Sequence, residues 1–124
     1  MGKRIMVVDD SATMMMSVKE TLEMNGFEIE TAGDGLEALG KLKGGYKPDL
    51  IITDVNMPNM GGLEFIKNAR ILPGLNFTPI LTLTTESEAS MREEAKQLGA
   101  TGWLVKPVAG PALINVIKQV LPGA

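Results

Sequence analysis

Residues 5–11 read IMVVDDS, so that four consecutive apolar residues run directly into two aspartates and a serine. A short and wholly apolar run is typical of a parallel strand that is buried on both faces of a sheet. Residues 50–54 read LIITD and have a similar form, since an apolar run again ends at an aspartate. Serine is a favoured N-cap, and we therefore expect a helix to begin after Ser11. The two stretches predict strand–helix units that carry acidic side chains at the strand ends.

The same alternation of apolar strands and helices continues along the chain. Glycine, proline and asparagine separate the runs, as in the Asn25-Gly26 pair that should end the first helix. We predict strands at residues 5–8, 27–31, 50–54, 79–83 and 102–105. We predict helices from Ser11 to Asn25, over 36–42, from Gly62 towards Arg70, over 86–98 with Thr85 and Glu88 as a capping box, and from Pro111 onwards.

Five short strands that alternate with helices indicate an α/β protein, a doubly wound parallel sheet with helices on both faces. Residues 27–31 alternate between apolar and polar side chains, and this less buried strand belongs at an edge. We therefore predict a flavodoxin-like (βα)5 sandwich with strand order 2-1-3-4-5, formed by a single domain over residues 1–124. In such a sheet the functional site lies where the strand order reverses, between the carboxyl ends of the first and third strands.

The composition removes several classes of function. The 124 residues include no cysteine and no histidine, which excludes thiolate nucleophiles, zinc fingers and histidine-based triads. The net charge is −3 and the lysines are scattered, so a nucleic-acid partner is not expected. No apolar run has the length of a membrane span or of a signal peptide, and we expect a cytoplasmic protein without a membrane partner.

Acidic side chains should meet at the point where the strand order reverses. Asp9 and Asp10 follow the first strand, and Asp54 ends the third. Three carboxylates in one pocket repel one another unless a cation joins them, and Mg²⁺ prefers oxygen ligands of this kind. The backbone carbonyl of Asn56 could supply a further oxygen. The sequence therefore predicts a site for one divalent cation, Mg²⁺.

The fourth and fifth strands bring two more polar groups to the same edge of the sheet. The fourth strand ends at Thr84, and the fifth ends at Lys106, which precedes Pro107. A lysine can neutralise a phosphoryl group and a hydroxyl can donate a hydrogen bond to it. With the carboxylates and a cation, these groups are the components of phosphoryl transfer to an aspartate. The Lys106–Pro107 bond is a candidate cis peptide.

At this point the chain resembles the response-regulator receiver domain, most closely the single-domain chemotaxis type, or CheY-like type. Four stretches carry the resemblance in the family's order and spacing, and it covers essentially the whole chain. They are IMVVDDS at 5–11, DVNMPNMGG at 54–62, PILTLTT at 79–85 and VKP at 105–107.

The resemblance implies a role for each residue of the site. Asp54 is similar to the family's phosphoacceptor, and Asp9 and Asp10 to the acidic pair that binds Mg²⁺ together with Asp54 and the Asn56 carbonyl. Lys106 is similar to the lysine that binds the phosphoryl group.

Further positions resemble the family's switch and its control of hydrolysis. Thr84 matches the switch hydroxyl, and Trp103 matches the switch aromatic, which is commonly tyrosine or phenylalanine. The side chain of Asn56 and Glu86 match positions that tune how water reaches the acyl phosphate.

Three features of the sequence depart from the family pattern. Val108 stands where phenylalanine is usual, and Thr85 stands where a small residue is usual, which could narrow access to the site. The first helix has Met14-Met15-Met16 where basic residues are usual. We expect Met15 in the core and Met14 and Met16 outside it, either as tolerated surface residues or as an adaptable patch that docks the phosphate donor.

As a whole, the resemblance implies a phospho-accepting response regulator of a two-component system. Because the chain is most similar to the chemotaxis type, the resemblance also implies a role in chemotaxis. Its partners would be a histidine kinase or histidine phosphotransfer protein and a downstream protein target, for which the flagellar motor switch is one candidate. The protein is expected to be a monomer and a switch, not an enzyme, apart from its own phosphorylation and dephosphorylation.

Other interpretations stay open from the residues alone. Asp9 and Asp10 could only cap a helix, Trp103 could be a half-buried strand aromatic, and Glu86 could be first-turn charge. The chain could be a receiver domain of a larger regulator, or a receiver fold that binds partners without phosphorylation. A phosphatase of small molecules is less well matched, because such enzymes usually have a second carboxylate at the position of Asn56.

Overall fold

Strands and helices alternate from the first strand to the last helix in the computed structural model, which describes residues 3–85, 90–106 and 110–121. The predicted order of elements is confirmed. The strands are β1 (Arg4–Val8), β2 (Glu28–Ala32), β3 (Leu50–Asp54), β4 (Ile80–Thr84) and β5 (Gly102–Val105). The helices are α1 (Ala12–Met24), α2 (Gly35–Lys43), α3 (Gly62–Arg70), α4 (Met91–Leu98) and α5 (Gly110–Val120).

The sheet has the strand order β2-β1-β3-β4-β5, and each neighbouring pair is parallel. The predicted fold class and topology are therefore confirmed. Residues 5–8 of β1 are fully buried between β2 and β3, whereas β2 is partly exposed at the edge. The register pairs Val8 with Thr53 and Thr84 with Val105, so that the strands end along one edge of the sheet.

A hydrophobic core lies on each face of the sheet. Because successive strand residues point to opposite faces, Ile5 and Val7 face α1 and α5, whereas Met6 and Val8 face α2 and α3. The helices thus cover both faces, as a doubly wound sheet requires. No helix among the described residues is long and apolar enough to cross a membrane.

The helix boundaries at Ser11 and Gly99 follow the sequence signals, whereas the start of α4 does not. Ser11 caps α1, since its side chain accepts a hydrogen bond from the Met14 N–H at 3.3 Å. Gly99 ends α4 with a φ of 116°, a left-handed conformation that favours glycine. The predicted start of this helix at residue 86 is wrong, because α4 begins at Met91 with Ser90 at its N-cap position. The capping box of Thr85 and Glu88 stays a prediction, since residues 86–89 lie outside the description.

The three consecutive methionines of α1 are distributed between core and surface differently from the prediction. Met16 is 69% exposed, as expected, and Met15 packs against the core between α1 and α5. Met14 also packs against this core, and the prediction that it lies outside is wrong. Met14 and Met15 are four and three residues before the buried Val18, and both spacings place side chains next to each other on a helix.

Candidate functional site

Three carboxylates converge at the carboxyl ends of β1 and β3. One oxygen from each of Asp9, Asp10 and Asp54 lies within 4.8 Å of the other two. Asp9 and Asp54 are buried, and Asp10 is exposed. The topology therefore brings together the three residues that the sequence singles out, and their use as metal ligands stays a prediction.

Asp9 is the most deeply buried of the three. Its Oδ1 accepts a hydrogen bond from the Ser11 N–H at 2.9 Å, but its buried Oδ2 has no hydrogen-bond partner in the part of the chain that the structure describes. Burial raises the pKa of Asp9, and the negative charge of Asp54 adds to this, whereas the Ser11 N–H and Lys106 lower it. A buried carboxylate oxygen that has no hydrogen bond and lies near two further carboxylates is suited to bind a hard divalent cation.

Lys106 places its ammonium between the two buried carboxylates. Its Nζ lies 2.8 Å from Asp54 Oδ2 and 3.7 Å from Asp9 Oδ2, and 19% of its side chain is exposed. The other oxygen of Asp54, Oδ1, accepts a hydrogen bond from the Val55 N–H at 2.8 Å. The Asp54 carboxylate is thus fixed at both oxygens, with positive charge on one side.

Asn56 is exposed in the loop between β3 and α3. This loop is tied to the start of α2 by two contacts. Asn59, with a φ of 65°, donates a side-chain hydrogen bond to Asp34 Oδ2 at 2.7 Å, and the Gly35 N–H donates to the Met60 carbonyl at 3.0 Å. Asparagine tolerates this left-handed conformation better than most residues. These contacts fix the end of the loop that carries Asn56 against the start of α2.

Gly62 allows α3 to begin directly against the end of β3. A Cβ at this position would lie 2.1 Å from the Asp54 carbonyl oxygen, which is closer than any real contact. The Gly62 N–H donates to the Val55 carbonyl at 2.8 Å and closes the turn. In the sequence, Gly62 indicates only the start of a helix, and no local signal predicts its contact with the backbone of Asp54.

Thr84 is fully buried at the end of β4. Its hydroxyl is within hydrogen-bond distance of the Leu104 carbonyl, at 3.4 Å, and accepts from Arg92 Nε at 3.3 Å. The Thr84 carbonyl accepts a hydrogen bond from the Lys106 N–H at 2.7 Å. The backbone of β4 therefore helps to position the lysine of the site.

Trp103 lies on β5 and is 48% exposed. It pairs with Thr82 in the sheet, which puts its side chain on the same face as Thr84. The guanidinium carbon of Arg92 lies 5.3 Å from the centre of its ring, within the range of a cation–π contact. Arg92 thus contacts both candidate switch residues, and sequence reasoning gave no sign of it.

Two sequence predictions fall outside the described residues. Glu86, a candidate for tuning hydrolysis, lies in the undescribed range 86–89. The candidate cis peptide involves Pro107, and the departure at Val108 follows it, in the undescribed range 107–109.

Comparison with known proteins identifies the family. The model of the response regulator receiver domain matches residues 5–118. The chemotaxis protein CheY-3 of Vibrio cholerae is 40% identical over 118 residues, which cover 94% of this chain and 90% of that protein.

Solved structures agree with this match. The chemotaxis response regulator CheY4 of Vibrio cholerae is 45% identical with a TM-score of 0.91, and the match covers 98% of this chain and 100% of that one. The receiver domain of the sensor histidine kinase PA1611 of Pseudomonas aeruginosa has a magnesium ion coordinated in its active site cleft; it is 22% identical, has a TM-score of 0.89 and shares the fold over 98% of both chains. With its parallel sheet and its acidic strand ends, the chain belongs to the response regulator receiver domain family and is CheY-like.

Proposed function

We propose that Asp54 accepts a phosphoryl group from a phosphohistidine of a histidine kinase or phosphotransfer protein. A carboxylate oxygen of Asp54 attacks the phosphorus, and the bond from phosphorus to the imidazole nitrogen breaks, with its electron pair going to the imidazole. The observation that carries this proposal is the buried Asp54 carboxylate, which lies 2.8 Å from Lys106 Nζ and beside Asp9 Oδ2, a buried oxygen without a hydrogen bond among the described residues. Lys106 then stabilises the negative charge on the phosphoryl oxygens.

Asp9, Asp10 and Asp54 would hold Mg²⁺, with the Asn56 carbonyl as a further ligand. Receiver domains bind this ion at an acidic pocket, and the donor set of this pocket is the one Mg²⁺ prefers. When bound, the ion supplies positive charge that offsets the repulsion among the carboxylates and the incoming phosphoryl group. The contribution of the protein is to fix Asp9 and Asp54 in place before transfer, through the Ser11 and Val55 N–H groups.

The phosphorylated state is read through Thr84 and Trp103. Thr84 donates its hydroxyl to a phosphoryl oxygen, and Trp103 changes position on the face of α4, β5 and α5, where a downstream protein binds. The phosphoryl group favours this conformation because it contacts Thr84 only there, which shifts the population between two states. Receiver domains are signalling switches and not conventional enzymes, and hydrolysis of the acyl phosphate, tuned by Asn56 and Glu86, resets the switch.

The likeness to chemotaxis proteins supports a role in chemotaxis, with the flagellar motor switch as a candidate target. We further propose that the chain acts as a cytoplasmic monomer formed by one receiver domain. A target that binds the phosphorylated protein directly would then provide the output.

Intact-mass spectrometry tests phosphorylation directly. After incubation with acetyl phosphate and Mg²⁺, we expect one phosphoryl adduct on the wild-type protein and none on Asp54→Asn, because the amide is a poor nucleophile. Asp49→Asn is the matched control, since Asp49 accepts a hydrogen bond from the Arg4 N–H far from the site, and it should keep the adduct. An adduct that persists in Asp54→Asn, or its absence from the wild type, would contradict the proposal; the second result would favour an interaction module that is never phosphorylated.

Mg²⁺ should stabilise the fold at neutral pH and lose this effect in acid. Because burial raises the pKa of Asp9 in the metal-free fold, ionisation of its carboxyl costs folding free energy as pH rises from the usual pKa through the raised one. Bound Mg²⁺ offsets this cost. At a free Mg²⁺ concentration one hundred times its Kd, the free energy of unfolding rises by about 2.7 kcal/mol. We expect thermal unfolding to show a higher Tm with MgCl₂ than with NaCl of equal ionic strength, and the gap should close as the carboxylates protonate. Equal Tm values in both salts at neutral pH would contradict the metal site.

A further inference from the structure

Arg92 joins the two residues on which the proposed switch depends. Its Nε donates to the hydroxyl of Thr84 at 3.3 Å, and its guanidinium lies over the ring of Trp103 at 5.3 Å. Arg92 comes from the beginning of α4, whereas Thr84 ends β4 and Trp103 lies in β5. One side chain therefore links three elements at the edge of the sheet that carries the site.

The hydroxyl of Thr84 cannot keep its present partners and also serve a phosphoryl group. It has a single proton to donate, and here it approaches the Leu104 carbonyl at 3.4 Å while accepting from Arg92. To donate towards a phosphoryl group on Asp54 it gives up the Leu104 carbonyl, and any movement of its oxygen towards Asp54 lengthens the contact with Arg92, which is already 3.3 Å. Arg92, which is half-buried, then loses the one interior acceptor that it has among the described residues.

Arg92 also holds the exposed position of Trp103. The ring is 48% exposed and forms one wall of a cavity of about 150 Å³, which Arg92, Lys96 and Thr101 also line. A guanidinium over the face of the ring stabilises this arrangement, and Trp103 cannot leave it without losing the contact. The two contacts of Arg92 therefore favour the same state of both residues.

We infer that Arg92 is a latch, a positioning residue that holds Thr84 and Trp103 in their unphosphorylated positions and that has to release both during switching. This inference rests on the proposed function and adds a residue that opposes the switch. Removal of the Arg92 side chain should therefore favour the phosphorylated conformation. Loss of one hydrogen bond from a charged donor corresponds to a change of about tenfold in an equilibrium constant.

The test compares Arg92→Met with Lys96→Met. Methionine keeps much of the length of the side chain and removes the hydrogen bond and the charge. Lys96 is one helical turn away, lines the same cavity and carries the same charge, but the structure gives it no contact with Thr84. The readout is the affinity for the phosphoryl mimic beryllofluoride in the presence of Mg²⁺, followed by the fluorescence of Trp103, the single tryptophan of the chain.

We expect Arg92→Met to bind the mimic about tenfold more tightly than the wild type, and Lys96→Met to change the affinity by less than about twofold. Emission of Trp103 should change in Arg92→Met before any mimic is added, because the cation above the ring is gone. Unchanged or weaker affinity in Arg92→Met, or equal tightening in Lys96→Met, would overturn the latch.

A double-mutant cycle separates a latch from a purely structural arginine. In a Thr84→Val background, Arg92→Met should tighten binding of the mimic less than it does in the wild type, because only the contact with Trp103 then remains to be released. Tightening of the same size in both backgrounds would overturn the inference. If the wild type binds the mimic but Arg92→Met gains nothing, the latch alone fails; if the wild type does not bind the mimic, the proposed function fails together with the latch.

Discussion

Gly62→Ala should destabilise the protein by at least about 3 kcal/mol, in spite of the better helix propensity of alanine. The added Cβ would lie 2.1 Å from the Asp54 carbonyl oxygen and 3.0 Å from the Cα of Val55, and these are backbone atoms that no rotamer change can move aside. Either the end of β3 or the start of α3 has to shift. The gain in propensity is about 1 kcal/mol and does not offset this clash. Chemical denaturation followed by circular dichroism measures the loss.

Gly40→Ala is the matched control for this change. Gly40 is exposed within α2, and a Cβ there would meet no atom within 4 Å. We expect this variant to gain about 0.5–1 kcal/mol, because alanine loses less backbone entropy in a helix. If Gly62→Ala proved as stable as Gly40→Ala, the close contact between α3 and the backbone of Asp54 would be wrong.

Lys106→Met should have the second large effect, on both stability and switching. The buried carboxylates of Asp9 and Asp54 would lose their shared cation, and without Mg²⁺ we expect a loss of about 2 kcal/mol. This is below the range of about 3–5 kcal/mol for a fully buried pair, because part of the lysine side chain is exposed. The variant should also fail to change the fluorescence of Trp103 when the phosphoryl mimic is added.

Denaturation with and without Mg²⁺ checks this prediction. Added Mg²⁺ should recover part of the stability that Lys106→Met loses, since another cation then joins the carboxylates. Lys67→Met is the control, because Lys67 is exposed on α3 and has no ion pair among the described residues. A Lys106→Met protein as stable as this control in the absence of Mg²⁺ would show that the ion pair contributes little.

The sheet could be predicted from the sequence because each strand is short and has a distinct pattern. Fully apolar residues at 5–8 fit a central strand, whereas Glu28 and Glu30 alternate with less polar neighbours and fit an edge. Once the strand order is known, the meeting of Asp9 with Asp54 and Lys106 follows, because all three residues lie at strand ends. This part of the site depends on topology alone.

The contacts that the sequence did not predict depend on the rotation of a helix or the path of a loop. Arg92 reaches Thr84 only because α4 presents that residue towards the sheet, and no local signal distinguishes it from Lys96. The hydrogen bond between Asn59 and Asp34 joins two loops that are 25 residues apart. The prediction that Met14 lies outside the core is wrong because the buried face of a helix can be wider than one row of side chains.

Because α3 approaches β3 closely, the two sides of the site differ in how much room they leave for movement. On the side of α3, the main chain of Asp54 packs directly against Gly62 and leaves no room for a further atom. A group added to the side chain of Asp54 therefore cannot displace β3 in this direction. On the side of β4, the hydroxyl of Thr84 is held only by contacts of its side chain, 3.3 Å to Arg92 and 3.4 Å to the Leu104 carbonyl, which rotation of that side chain can exchange without moving the main chain. We therefore expect a group added to Asp54 to be accommodated on the side of β4 and α4, because the main chain at Gly62 leaves no room on the other side.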